Sequence, residues 1–135
     1  IILVYESMDN GIPLFLIDDN ETYVDLMKMI LEDEGYSLDY AYNSHDGVVK
    51  YVPKKYAGFI TDYVKPLLKG DKVAERIRKL DAEVRLILMT EYKSAIQLAT
   101  LQKFKTVLEK PVNPVQVSAA LREIVCGGPL RVIVR

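Results

Sequence analysis

Pro13-Leu-Phe-Leu-Ile-Asp-Asp19 is an apolar run of strand length that ends on two acids. The same construction recurs further along the chain. Gly58-Phe-Ile-Thr61 leads into Asp62, Val84-Arg-Leu-Ile-Leu-Met89 into Thr90, and Val107-Leu-Glu109 into Lys110 and Pro111. Continuous apolar runs of this length are the pattern of strands buried on both faces, as in a parallel sheet. In an open parallel sheet the C-terminal strand ends lie side by side and form the crevice where ligands bind. The four runs therefore predict one small site holding three carboxylates, a hydroxyl and an ammonium. That set suits a divalent metal and a phosphoryl group.

Helical patterns fill the intervals. Asn20 is placed to cap a helix with Glu21 in its first turn, and Val24, Met27, Ile30 and Leu31 recur at helical spacing before Gly35 ends it. Leu38 to Tyr42 alternates as a strand, and Ser44 is a candidate cap for a short helix to about Tyr51, broken by Pro53-Lys-Lys55. Ala57 to Asp62 is the third strand. Pro66 and Gly70 shape the following loop, and Asp71 opens a helix with Val73, Ile77 and Leu80 on one face. Val84 to Thr90 is the fourth strand, Ser94 to Leu101 a shorter helix of mixed spacing, and Phe104 to Glu109 the fifth strand. Asn113-Pro114 is a helix start, with Val117, Leu121, Ile124 and Val125 as its apolar stripe and Gly127-Gly128 as its end. Five strands alternating with five helices predict an α/β fold, a doubly wound parallel sheet covered on both faces.

Composition narrows the function. The 135 residues suit one domain with a substantial core. A net charge of −1 provides no broad basic field for nucleic acid or an anionic membrane surface. Cys126 is the single cysteine, so no internal disulfide forms, and no apolar run reaches the roughly 20 residues a membrane span needs. We expect a cytoplasmic protein. The chain has no G-x-x-x-x-G-K, no G-x-G-x-x-G after the first strand and no G-x-S-x-G. His45 is the only histidine, which excludes a histidine metal cluster and a serine triad. Of the nine tyrosines, Tyr36, Tyr40, Tyr42, Tyr51 and Tyr56 are scattered at strand and helix junctions, where packing explains them better than base stacking.

The acids of the first and second runs, Thr90, Lys110-Pro111 and Pro66 four residues after Asp62 together resemble the receiver domain of two-component response regulators. The resemblance covers about Pro13 to Val125. It implies a flavodoxin-like (βα)5 sheet in strand order 2-1-3-4-5, with residues 13–126 as the receiver domain and residues 1–12 and 127–135 as terminal extensions. It further implies that Asp62 is the phosphoacceptor and that Mg²⁺ is held by Asp18, Asp19, Asp62 and the backbone carbonyl of Val64. Thr90 would donate its hydroxyl to the phosphoryl group and Lys110 would offset its charge. The implied partners are a sensor histidine kinase and a downstream output domain or effector protein, with no direct nucleic-acid or membrane binding.

Two positions depart from the family, as do the dozen or so extra residues at the start of the chain and the seven or eight after Gly128. Val107 stands where receivers usually carry Tyr or Phe, and Glu91 stands where a small residue normally leaves room beside the phosphoryl group. In the family, the positions of Val64 and Tyr92 tune water access; valine has no group to orient a water and tyrosine's bulk shields the phosphorus, which implies slow hydrolysis of the acyl phosphate. Glu91 and Val107 also suit an alternative: a phosphorylation-independent pseudo-receiver that serves as a docking or dimerisation module. A small aspartyl phosphatase ranks below both, since no lid or substrate domain accompanies the acids. Finally, Ile1-Ile-Leu-Val-Tyr5 and Leu130-Arg-Val-Ile-Val-Arg135 are rich in β-branched residues. They are expected to pair as strands and to contribute to a homodimer.

Overall fold

A computed structural model describes residues 11–62, 70–91, 94, 96–110 and 113–125. The terminal segments, Val64, Pro66 and Tyr92 lie outside the described residues. The elements run β1 (Ile12–Ile17), α1 (Glu21–Asp33), β2 (Tyr36–Ala41), α2 (Ser44–Lys50), β3 (Gly58–Asp62), α3 (Gly70–Leu80), β4 (Arg85–Thr90), α4 (Leu98–Leu101), β5 (Thr106–Glu109) and α5 (Pro114–Val125). All strand pairs are parallel, and the order is β2-β1-β3-β4-β5.

Alternation along β1 divides the core in two. Leu14 and Leu16 join Val24, Met27 and Leu31 of α1 and Val117 and Leu121 of α5 in one buried cluster. Phe15 and Ile17 point the other way, to Tyr51, Tyr56, Phe59 and the α3 residues Val73, Ala74 and Ile77. Phe15 packs edge-on against Tyr56, with ring centroids 5.3 Å apart, and is stacked on Phe59. Among the described residues, Tyr36, Tyr51 and Tyr56 are buried core tyrosines. Their hydroxyls need partners. Tyr51 donates to the buried carboxylate of Asp81 at 2.9 Å, and Tyr56 donates to Asp39 at 2.6 Å.

The local chemistry explains most boundaries. Asn20 accepts from the Tyr23 N–H and caps α1, and Gly35, at φ +98, turns the chain after it. The cap of α2 is Asn43 rather than Ser44: its Oδ1 accepts from the Asp46 N–H at 2.8 Å, while Ser44 is fully buried. At α5, Asn113 and Gln116 each accept the other's backbone N–H, a reciprocal cap. The expected helix from Ser94 to Leu101 is shortened to its last turn. Ile96 is buried while Leu98 is 68% exposed, and Gln97 is extended with no side-chain cap, so the segment lacks one apolar helical face. No helix among the described residues is long and apolar enough to cross a membrane.

Candidate functional site

Sheet register sets the site. Ile17 pairs with Thr61, so Asp18 and Asp62 leave adjacent strands at the same level. Asp62 pairs with Met89, and Thr90 with Glu109, which brings Lys110 to the same edge. The Lys110 N–H donates to the Thr90 carbonyl at 2.7 Å and fixes the end of β5 against β4.

The side chains converge at that edge. One carboxylate oxygen from each of Asp18, Asp19 and Asp62 lies within 4.8 Å of the others. Asp18 is 1% exposed; its Oδ1 accepts the Asn20 N–H at 3.0 Å and its Oδ2 lies 3.4 Å from Lys110 Nζ. Asp62 Oδ2 accepts from the same ammonium at 2.9 Å. Burial disfavours the charged amine, yet the hydrogen bond to Asp62 and the charges of Asp18 and Asp62 outweigh it and raise the Lys110 pKa above the usual lysine value. The lysine is therefore a permanent cation bridging two acids. Asp19 is exposed and Asp62 half-buried, so water reaches the crevice from one side.

Of the residues singled out in the sequence, Asp18, Asp19, Asp62 and Lys110 meet through their side chains. Thr90 reaches the crevice through register and lies fully buried at the end of β4. Val64 lies outside the described residues. Glu91 is exposed, and Val107 packs partly buried against the second core cluster. His45 is exposed on α2.

Tyr23 was not legible as a site residue. Its hydroxyl lies 3.8 Å from Met89 Sδ. Burial, then the charge of Asp18, opposed by Lys110 and joined by Asp62, push its pKa up to about 12. The only available signal was its position in the first turn of the helix that follows the two acids.

The donor set fits a hard divalent cation. All three groups are carboxylates, no nitrogen or sulfur ligand accompanies them among the described residues, and the solvent-facing side leaves room for retained waters. The sequence model of the family described as Response regulator receiver domain matches residues 14–122, well over half of the chain. The chain belongs to the response regulator receiver domain family. The receiver domain is 30% identical over 77 residues to the uncharacterized transcriptional regulatory protein YkoG of Bacillus subtilis, a stretch covering 57% of this chain and 34% of that protein. The chain thus spans about a third of the length of the curated relatives it matches.

Solved structures agree on the fold. A CheY-like receiver domain protein from Methanospirillum hungatei JF-1 superposes with a TM-score of 0.75 at 24% identity, over 85% of this chain and 94% of that one. The receiver domain of sensor histidine kinase PA1611 from Pseudomonas aeruginosa PAO1, with a magnesium ion coordinated in its active site cleft, gives 0.70 at 21% identity, over 87% and 99%.

Proposed function

We propose that this receiver domain, with residues 13–126 as its unit, is a phosphoacceptor switch whose acceptor is Asp62. One observation carries the reading: Lys110 bridges Asp18 and Asp62 while Asp19 closes the acidic cluster.

In this reading a carboxylate oxygen of Asp62 attacks the phosphorus of a phosphohistidine on a sensor histidine kinase. The P–O bond forms as the P–N bond breaks, and the imidazole leaves with its electron pair and takes up a proton. Asp18, Asp19, Asp62 and the carbonyl of Val64 would hold Mg²⁺, which when bound supplies positive charge against the phosphoryl oxygens. The chain's own residues do the remaining work. Lys110, held cationic by the two acids, offsets charge on the transferred group from the opposite side. Thr90 supplies a hydroxyl at the end of β4, and buried Asp18 anchors the lysine. Glu91, at the end of β4, is exposed and does not join the three-carboxylate cluster among the described residues. The magnesium in the PA1611 receiver domain supports the ion, and the relatives named as transcriptional regulators support an output domain that acts on transcription.

Incubation with acetyl phosphate and Mg²⁺ should add one phosphoryl mass to the intact protein, and Asp62→Asn should abolish the adduct. Lack of a Mg²⁺-dependent adduct on the wild type would rule the reading out. Val107, which lacks the aromatic ring common at its position, favours the second reading, a docking module indifferent to phosphate. That reading expects partner binding to be equal for the wild type and Asp62→Asn.

A further inference from the structure

Helix α3, the start of β4 and the segment after α4 enclose a cleft of about 490 Å³, lined by Ala74, Glu75, Arg78, Lys79, Leu86 and Lys103. It lies toward the opposite end of β4 from the acids. Leu86 precedes Thr90 by four residues, about 13 Å of strand. Most of the lining residues are charged, yet the surface they present inside the cleft is almost wholly apolar. Ala74 and Leu86, both buried, belong to the second core cluster and make the floor. The methylene stems of Arg78, Lys79 and Lys103 make the walls, so their charged ends stand at the rim.

That rim carries three cations to one carboxylate. Glu75 is already compensated: one of its oxygens lies 2.6 Å from Lys103 Nζ and the other 3.8 Å from Lys72 Nζ. The neighbouring acid, Asp81, is turned inward, where its carboxylate accepts from the Tyr51 hydroxyl and the Lys54 N–H. Arg78 Nη1 donates to the Ala82 carbonyl at 2.6 Å and lies 3.5 Å from the Asp81 carbonyl. Those contacts hold the guanidinium in place through one nitrogen of a group with five N–H donors. Lys79 is exposed beside it. An apolar slot under an excess of positive charge is complementary to a ligand with an apolar body and one anionic end.

We propose that this cleft binds a small amphipathic carboxylate, its hydrocarbon body on Ala74 and Leu86 and its carboxylate at the Arg78 and Lys79 rim. The dimensions select a small molecule. Ligand clefts run to about 300–1,000 Å³, with apolar walls and a few polar groups. A protein partner instead covers roughly 800 Å² with about 20–30 residues a side, far more than this cleft offers. The site is separate from the acidic crevice and does not depend on Asp62 accepting a phosphoryl group.

Octanoate is the probe, and octanol, with the same chain and no charge, is its control. Titrated into isotope-labelled protein, octanoate should shift the backbone amide resonances of Ala74, Leu86 and Lys103. Octanol should reach the same amides more weakly, and added salt should weaken octanoate alone. Lys79→Gln should weaken octanoate roughly two- to fivefold, the range of one exposed ion pair, and leave octanol unchanged. It should also keep the wild-type unfolding midpoint, since Lys79 is exposed. Unshifted cleft amides, equal affinities for octanoate and octanol, or equal octanoate binding by wild type and Lys79→Gln would overturn the inference. A response confined to the surroundings of Lys110 would overturn it too, by seating the carboxylate in the acidic crevice.

Discussion

At Lys110 a single amine faces two carboxylates, and its loss would leave Asp18 buried without its cation. Breaking a fully buried pair costs about 3–5 kcal/mol, and an exposed pair contributes under about 1 kcal/mol. Lys110 is 20% exposed and Asp18 1%, and the Asn20 N–H still serves Asp18, so we expect Lys110→Met to lose about 2 kcal/mol in urea unfolding. Mg²⁺ should recover more stability in that variant than in the wild type, because the cluster's repulsion is then uncompensated. A ligand at 100 times its Kd adds about 2.7 kcal/mol. Equal Mg²⁺ effects in the two proteins would contradict this account. Asp39 offers a pH test elsewhere. Burial raises its pKa, but hydrogen bonds from Tyr56 and Lys55 prevail and hold it below the usual 3.8. Its stabilisation is thus present above about pH 4 and is lost as pH falls through the depressed folded value. The stability gap between wild type and Asp39→Asn should therefore be widest near neutrality and close in acid.

The elements place these residues, and helix α2 illustrates how tightly. A Cβ added to Gly47 would lie 2.2 Å from Ile17 Cδ1 and 2.8 Å from its Cγ1. Replacing glycine by alanine inside a helix gains about 1 kcal/mol, whereas overpacking a core costs about 1–3 kcal/mol. Ile17 is fully buried and directly precedes Asp18, so the clash should win. We expect Gly47→Ala to be destabilised by about 1 kcal/mol or more in chemical denaturation, with a weaker response to Mg²⁺. Asn113→Ala, which breaks the reciprocal cap of α5, should cost about 1 kcal/mol and leave the acids untouched.

Legibility in the sequence follows the same division. The strands that end on Asp18, Asp62, Thr90 and Lys110 were readable because buried parallel strands are continuous apolar runs. Residue positions along strands then follow from a period of two. Two features were not. Asn43 displaced Ser44 as the cap because burial of Ser44 depends on packing by residues distant in sequence. Tyr23 reaches Met89, 66 residues away, only through the rotation of α1 on the sheet, which no local pattern encodes.

Across the whole molecule, the crevice exists only when four strands are paired. Lys110 meets Asp62 across 48 residues and Asp18 across 92. That separation has a consequence for the order of assembly. Synthesis proceeds from the N-terminus at about 5–20 residues per second, so the last of the three acids, Asp62, precedes their lysine by roughly 2–10 s. During that interval a growing chain holds three negative charges destined for one cleft and no residue able to neutralise them there. Dissolved cations must shield the partly formed sheet until β5 docks. Refolding monitored by stopped flow should therefore accelerate with millimolar Mg²⁺ and lose that dependence in Asp19→Asn. The cation that the finished cleft is suited to hold would then also act as a midwife to its formation.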